Sequence, residues 1–216
     1  MRFLILLLIT ATALSAADLT LKTADLPPPK EIDPAIQKLL QPKAVQLVVG
    51  DQPAFQFWLV NELPLQSKPG AKPLDAVKQA TLLGVVAVLI AQRDYRDDEI
   101  AAGVYTMRFA LQPQDGNHLG SSEFLYFAAL TPAKLDTKPD GITDYKSLVK
   151  VSSKETSTDH PVILSLRPAG SDKTESPQLV EPAPEHKSVR VKVPANASGE
   201  KTSIAFEIVY EGKGHK

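Results

Sequence analysis

The stretch GVYTMRFALQPQDGNHLG, which runs from Gly103 to Gly120, decides how this chain is expected to fold. Over its first half, two sets of residues alternate: Val104, Thr106, Arg108 and Ala110 on one side, and Tyr105, Met107, Phe109 and Leu111 on the other. A period of two residues is typical of a half-buried β-strand. Pro113 ends the strand because proline has no N–H to donate to the ladder. The polar residues that follow then turn the chain.

Apolar runs separated by turn residues predict further strands at 45–49, 55–60, 82–90, 124–130, 162–166, 189–193 and 204–210. Gly84, inside the most apolar of these runs, predicts a bulge in a central strand. Two short helices are predicted. One is capped by Asp33 with Pro34 at its first position, and the other covers 143–150 with Thr143 or Asp140 as its cap. The predicted fold is mainly β: an antiparallel β-sandwich, immunoglobulin-like in the broad sense, with two short helices.

Residues 1–17 have the pattern of a secretory signal peptide. Arg2 supplies a positive charge, Phe3 to Ile9 and the small residues that continue to Leu14 form the apolar region, and Ser15-Ala16-Ala17 fit cleavage after Ala17. The apolar run is shorter than the roughly 20 residues that a membrane span needs. The sequence therefore predicts an exported protein, periplasmic or secreted, with no transmembrane segment in the mature chain.

The rest of the chain is predicted to form one domain. Residues 18–31 include three consecutive prolines and are expected to be an extended linker. Residues 32–216 have the length of one domain and are assigned to a single β-sandwich. Residues 168–187 within it are rich in Pro, Glu, Lys and Ser, which predicts a flexible surface loop.

The composition excludes several classes of function. The net charge is −1 and no basic stripe is present, which argues against nucleic acid as a partner. The chain has no Cys, so disulfides, thiol catalysis and thiolate metal sites are excluded. The sequence also lacks the motifs of serine hydrolases, zinc proteases, nucleotide-binding loops and complete calcium loops. No catalytic and no cofactor-binding residue is therefore assigned.

The turn after Pro113 contains the residues from which a metal site could be built. His118 follows Asp115 and Asn117, and His160 follows Asp159, so each histidine stands close to a carboxylate. If the two strand ends meet, Asp115, His118 and His160 would supply nitrogen and oxygen ligands for a divalent metal. The alternative is that Asp115 and Asn117 only cap their own turn through side-chain to backbone hydrogen bonds. Both readings stay open at this point.

Two arginines stand in predicted strands, Arg108 in the stretch quoted above and Arg167 at the end of the strand near residue 166. The alternation places each of them on a polar face of the sheet. A structural salt bridge is the expected role for both.

The residues from Ala101 to Gly120, in the pattern A-x-G-V-Y-T-x-R-x-x-x-Q-P-x-D-G-N-H-x-G, resemble a family of uncharacterised exported bacterial β-sandwich proteins. The resemblance extends to Phe57-Trp58-Leu59, Glu62-Leu63-Pro64, the helix near Tyr145 and His160-Pro161. The chain departs from this pattern at 172–187. The resemblance implies export and the domain boundaries, and it implies no activity.

These observations lead to two hypotheses about function. The first is an exported, non-enzymatic β-sandwich that binds an envelope or extracellular partner or serves a structural role. The second is a divalent-metal-binding protein that uses the Asp115–His118 turn and His160. A third class, an unrecognised hydrolase, has no motif to support it.

Overall fold

In a computed structural model, the chain is described at residues 19–94, 98–113, 124–156, 160–169, 175–183 and 186–211. Its strands are β1 (Leu19–Ala24), β2 (Ala44–Val49), β3 (Gln52–Leu59), β4 (Leu63–Leu65), β5 (Leu82–Val88), β6 (Gln92–Arg93), β7 (Glu99–Ile100), β8 (Gly103–Leu111), β9 (Tyr126–Pro132), β10 (Ile163–Pro168), β11 (Gln178–Ala183), β12 (His186–Ala197) and β13 (Glu200–Glu211). The α-helices are α1 (Pro34–Gln37) and α2 (Tyr145–Ser152), and short 3-10 turns cover Pro73–Ala76, Ala133–Leu135 and Ser153–Glu155.

One large sheet organises these strands, in the order β1-β2-β3-β5-β8-β9-β10-β13-β12-β11. Its described pairings are antiparallel except for β4, which pairs with β12 in parallel, and β6 and β7 form a separate two-stranded sheet. The large sheet curls into a half-barrel, and its end strands β1 and β11 contact each other. The prediction of a mainly β chain with two short helices is confirmed. The finer prediction of a two-sheet, immunoglobulin-like sandwich is not established by this topology, because the ladder runs unbroken from β1 to β11.

The strand β8 lies near the middle of the sheet and is buried on both faces. Met107 and Phe109 belong to the main hydrophobic cluster, whereas Ala110 belongs to a second cluster beneath α2. The prediction of a half-buried strand is therefore wrong for the centre of β8. The alternation identified the two faces correctly, but it could not show that α2 and the segment after β9 cover the second one. Phe127 of β9 and Ile163 of β10 also lie in the second cluster.

Gly84 produces the bulge that the sequence predicts. The pairing of β5 with β8 shifts by one residue between Leu82 and Gly84. Gly84 has φ +157°, and a Cβ placed there would clash with the Trp58 carbonyl oxygen and lie 2.9 Å from the Leu59 Cα. Glycine is required here because the neighbouring strand β3 passes too close for a side chain.

The predicted linker at 18–31 needs correction. Within it, Leu19–Ala24 forms β1 and pairs with β2 along its whole length, from Leu19 opposite Val49 to Ala24 opposite Ala44. The segment after β1 is anchored too, because the Trp58 Nε1 donates a hydrogen bond to the Leu26 carbonyl oxygen at 2.8 Å. Leu19 and Leu21 point toward the main core, which explains why this end of the chain joins the sheet.

The predicted loop at 168–187 also contains regular structure. Gln178–Ala183 forms β11, which pairs with β12 and contributes Leu179 to the edge of the main core. The alternation of polar and apolar residues around Leu179 covers only a few positions, and the residues on either side of it favour loops. The composition of the whole segment therefore predicted a loop instead of a strand. Residues 170–174 and 184–185 lie outside the described part of the chain.

The cap predicted for α1 is confirmed, whereas α2 begins two residues later than predicted and has a different cap. In α1 the Asp33 carboxylate accepts a hydrogen bond from the Ala35 N–H at 2.8 Å, with Pro34 at the first position. In α2 the cap is Asp144 rather than Thr143 or Asp140, since its Oδ1 accepts from the Ser147 N–H at 2.9 Å. That hydrogen bond lowers the pKa of Asp144 below its usual value. Within the described residues, no helix is long and apolar enough to cross a membrane.

Candidate functional site

The residues predicted to bind a metal are only partly described. Asp115 and His118 lie outside the described residues, and so do Asn117 and Asp159. His160 is described: it precedes β10, is exposed, and lines a cleft of about 450 Å³ together with Tyr105 and Pro132. No group of three or more His, Asp or Glu that could hold a metal is found among the described residues.

The metal hypothesis requires His118 to approach His160, and the described strands show how far apart the two parts of the chain begin. His160 lies beside the start of β8, where Tyr105 pairs with Pro132. Segment 114–123 leaves from the other end of β8, where the Gln112 N–H donates to the Leu125 carbonyl oxygen at 2.8 Å. The nine residues of β8 span about 30 Å at ~3.3 Å per residue. The hypothesis therefore requires residues 114–123 to reach back along the strand, and it stays a prediction.

Arg108 forms the salt bridge that the sequence predicts, but it lies in the interior rather than on a polar face. Its side chain and that of Asp136 are each 1% exposed. The Arg108 Nε donates to the Asp136 Oδ2 at 2.6 Å and the Nη2 donates to the Oδ1 at 2.9 Å. This is the bidentate geometry that makes an arginine–carboxylate pair strong.

The remaining N–H groups of Arg108 are bonded to main-chain carbonyls. Nη1 donates to Ala80 at 2.9 Å and, over a longer distance of 3.5 Å, to Ile142, while Nη2 donates to Lys138 at 2.9 Å. A guanidinium has five N–H donors, and all five of these are used. Arg108 is therefore a structural cross-link with no donor left for a ligand.

The carboxylate of Asp136 is held from a second side. The Thr106 hydroxyl donates to its Oδ2 at 2.6 Å from the neighbouring position on the same face of β8. A buried ion pair is stable only when its other lone pairs and protons find partners. Thr106 and the three carbonyls meet that condition, so the segment from Asp136 to Ile142 is fixed against β8.

A groove lies directly above this cross-link. Its volume is about 480 Å³, which is within the range for small-molecule sites. Arg108 forms part of its floor, and Ala80 and Ile142, whose carbonyls Arg108 holds, are among its walls. The apolar lining comprises Leu39, Val60, Pro64, Ala80, Leu82, Pro139 and Ile142.

Leu39 stands at the mouth of this groove with 42% of its surface exposed. Its main chain is fixed on both sides, since its N–H donates to the Ile36 carbonyl at 2.9 Å and its carbonyl accepts from the Asn61 N–H at 2.7 Å. Ile36 and Leu40 fill the core on the other face of this turn. Leu39 is thus an apolar side chain held in contact with solvent by its own backbone.

The charged residues of the lining balance each other. Lys38 and Lys78 contribute two positive charges, Glu62 and Asp140 contribute two negative charges, and all four residues are exposed. The formal charge of the rim is therefore zero, which favours a ligand without net charge.

Neither the groove nor the role of Asp136 was predicted from the sequence. Its walls come from four separate parts of the chain, which no local pattern connects. One signal was available: Arg108 lies in a strand between apolar neighbours, and a buried guanidinium demands a carboxylate. Nothing in the spacing indicated which of the acidic residues would supply it.

Comparisons with known proteins add no relative. No family model, no curated protein and no solved structure matches this chain. The resemblance to an exported bacterial family therefore stays a prediction.

Proposed function

We propose that this protein is an exported, non-enzymatic binding protein of the cell envelope, and that the groove above Arg108 holds a small amphipathic molecule without net charge. Export is supported by the pattern of residues 1–17. Binding is supported by a groove of about 480 Å³ with apolar walls and a polar rim.

The observation that carries the proposal is the position of Leu39. A leucine that is 42% exposed loses hydrophobic stabilisation unless something covers it. Its main chain is held by hydrogen bonds to Ile36 and Asn61, so the turn that carries the side chain is fixed beside the groove. A ligand with an apolar body would cover Leu39 and contact the apolar wall opposite.

The lining favours binding over catalysis. Among the described residues that form the groove there is no His, Ser, Cys or Tyr, and the Asp, Glu and Lys side chains that could act as bases are exposed to solvent. The positive charge of Arg108 is neutralised by Asp136, and its donors are used. The groove therefore offers shape, apolar surface and peripheral polar groups.

The choice of a neutral ligand follows from the rim. A strongly anionic ligand would meet Glu62 and Asp140, and a strongly cationic one would meet Lys38 and Lys78. A neutral head group can accept from the lysines and donate to the carboxylates without an unfavourable charge.

The test uses a neutral apolar dye, phenylnaphthylamine, whose fluorescence rises in an apolar site. Wild-type protein is expected to give a saturable increase, and Leu39→Gln is expected to weaken binding about fivefold. That factor corresponds to about 1 kcal/mol, the share of a leucine side chain that the dye would cover.

Leu89→Gln is the matched control. Leu89 is also 42% exposed, but it follows β5 and does not line the groove. The dye should bind Leu89→Gln as tightly as wild type. Absence of saturable binding to wild type, or equal weakening in both variants, would reject the groove as the binding site.

A further inference from the structure

Two further arginines and a glutamate lie together on strands β10, β12 and β13, none of which contributes a residue to the groove. Arg167 on β10, Glu207 on β13 and Arg190 on β12 stand side by side, because the register places Arg167 opposite Glu207 and Glu207 opposite Arg190. All three side chains point to the face away from the main core. Two guanidinium groups thus flank one carboxylate.

Arg190 and Ser188 already bind that carboxylate. The Arg190 Nε and Nη2 donate to the Glu207 Oε1 at 3.1 and 2.6 Å, and the Ser188 hydroxyl donates to the Oε2 at 3.1 Å. The Arg190 Nη1 donates to Gln178 at 3.3 Å. Glu207 is buried, with its side chain 5% exposed. The charges of Arg190 and Glu207 therefore neutralise each other.

Arg167 is placed differently. Its Nη1 is 4.0 Å from the Glu207 Oε2, which is an ion pair without a hydrogen bond. The guanidinium carbon lies over the Phe124 ring at 5.8 Å from the centroid, a cation–π contact. Within the described residues, no hydrogen bond from the Arg167 guanidinium is present. Its side chain is partly exposed, at 32%.

The local charge is positive. Among the described side chains of this cluster, one glutamate stands between two arginines. An arginine presents a planar fork that matches carboxylate, sulfate and phosphate groups bidentately. Phe124 and Glu207 hold the Arg167 guanidinium in position, and neither accepts a hydrogen bond from it. Because the guanidinium is already oriented, less conformational entropy is lost when it binds a ligand.

We propose that Arg167 is an oxyanion-binding site, which engages a carboxylate, sulfate or phosphate group of a ligand through its guanidinium N–H groups. The site is separate from the groove and does not depend on it. It also distinguishes the two arginines for which the sequence predicts a salt bridge: Arg108 has all its donors used inside the protein, whereas Arg167 donates no hydrogen bond within the described residues.

The test is an NMR titration of the ¹⁵N-labelled protein with inorganic phosphate in one arm and acetate in the other, against sodium chloride at equal ionic strength. We expect saturable shifts of the Arg167 side-chain Nε–H and of the amides of Leu166 and Glu207. Phosphate alone producing the shifts would identify a tetrahedral oxyanion, and acetate alone a carboxylate.

Two variants of Arg167 test the proposal, and a third variant is the control. Arg167→Gln should abolish the saturable shifts, and Arg167→Lys, which keeps the charge but lacks the fork, should weaken binding several-fold. Lys150→Gln, which removes an exposed charge on α2, should leave binding unchanged. A dispersed amide spectrum shows that each variant is folded. No saturable shift in wild type, or wild-type amide shifts retained in Arg167→Gln, would overturn the proposal.

Discussion

Arg108 and Asp136 meet in the interior through two hydrogen bonds of 2.6 and 2.9 Å, although 28 residues separate them in sequence. The pair joins the central strand β8 to the segment after β9, and that segment forms one wall of the groove. The stability of the fold and the shape of the candidate site thus depend on the same contact.

The first prediction concerns this pair. Asp136→Asn removes the negative charge and leaves a buried guanidinium unneutralised, so the free energy of unfolding should fall by about 3–5 kcal/mol. Urea denaturation followed by circular dichroism measures the loss. In the double variant Arg108→Met with Asp136→Leu, a large part of that loss should be recovered, because no uncompensated charge remains.

The matched control is an ion pair at the surface. Lys43 and Asp25 are 3.4 Å apart, with side chains 60% and 85% exposed. Lys43→Gln should cost less than about 1 kcal/mol. If Asp136→Asn cost as little as Lys43→Gln, the Arg108–Asp136 pair would not be the cross-link that holds the groove wall.

The second prediction tests the bulge in β5. Gly84→Ala places a Cβ against the main chain of Trp58 and Leu59, which cannot move without disturbing β3. We expect a loss of about 2 kcal/mol or more in the free energy of unfolding. Gly70→Ala is the control, since nothing lies within 4 Å of the added Cβ there, and it should be nearly neutral. Equal stability of the two variants would contradict the close approach.

The third prediction is a pH dependence. Burial, together with a hydrogen bond from its hydroxyl to Asp75 at 2.6 Å, raises the pKa of Tyr126 from 10.0 to about 12. The folded state thus holds this proton more tightly than the unfolded state. Its contribution to stability is full below about pH 10 and is lost as the pH rises toward 12.

Tyr126→Phe isolates that contribution. The difference in unfolding free energy between wild type and variant should be constant from pH 7 to 9 and should shrink between about pH 10 and 12. Taking the difference removes the effect of the other tyrosines and the lysines, which titrate in the same range. A difference that stays constant up to pH 12 would show that Tyr126 titrates normally.

The sequence predicted the strands well because alternation and turn residues are local signals. The Gly84 bulge and the Asp33 cap were found for the same reason. The segments that cover each face of the sheet come from elsewhere in the chain, and a local pattern does not reveal them. The burial of Thr106 and Arg108 was therefore not predicted. The strand β1 was missed because three prolines follow it closely and dominated the composition of that segment. The groove was missed because its walls are far apart in the chain.

The fourth prediction tests the metal hypothesis with His118 and His160. If the two histidines share a divalent ion, Zn²⁺ at a hundredfold excess over its dissociation constant should stabilise the wild type by about 2.7 kcal/mol. His118→Ala and His160→Ala should each abolish this gain. It should also weaken as the pH falls, because protons compete with the metal for the neutral imidazole. Thermal melts with Zn²⁺ and with EDTA that coincide in wild type would reject the hypothesis.

The last prediction concerns export. Expressed in a bacterium with a periplasm, the protein should be recovered outside the cytoplasm with Asp18 as its first residue, because small residues occupy the positions that signal peptidase reads. Cleavage there keeps β1 whole, since the strand begins at Leu19 and pairs with Val49. Ala17→Phe should block processing and leave the longer precursor in the membrane fraction. N-terminal sequencing and intact mass decide the matter, and wild-type protein that retained Met1 on the membrane would show that residues 1–17 act as an anchor.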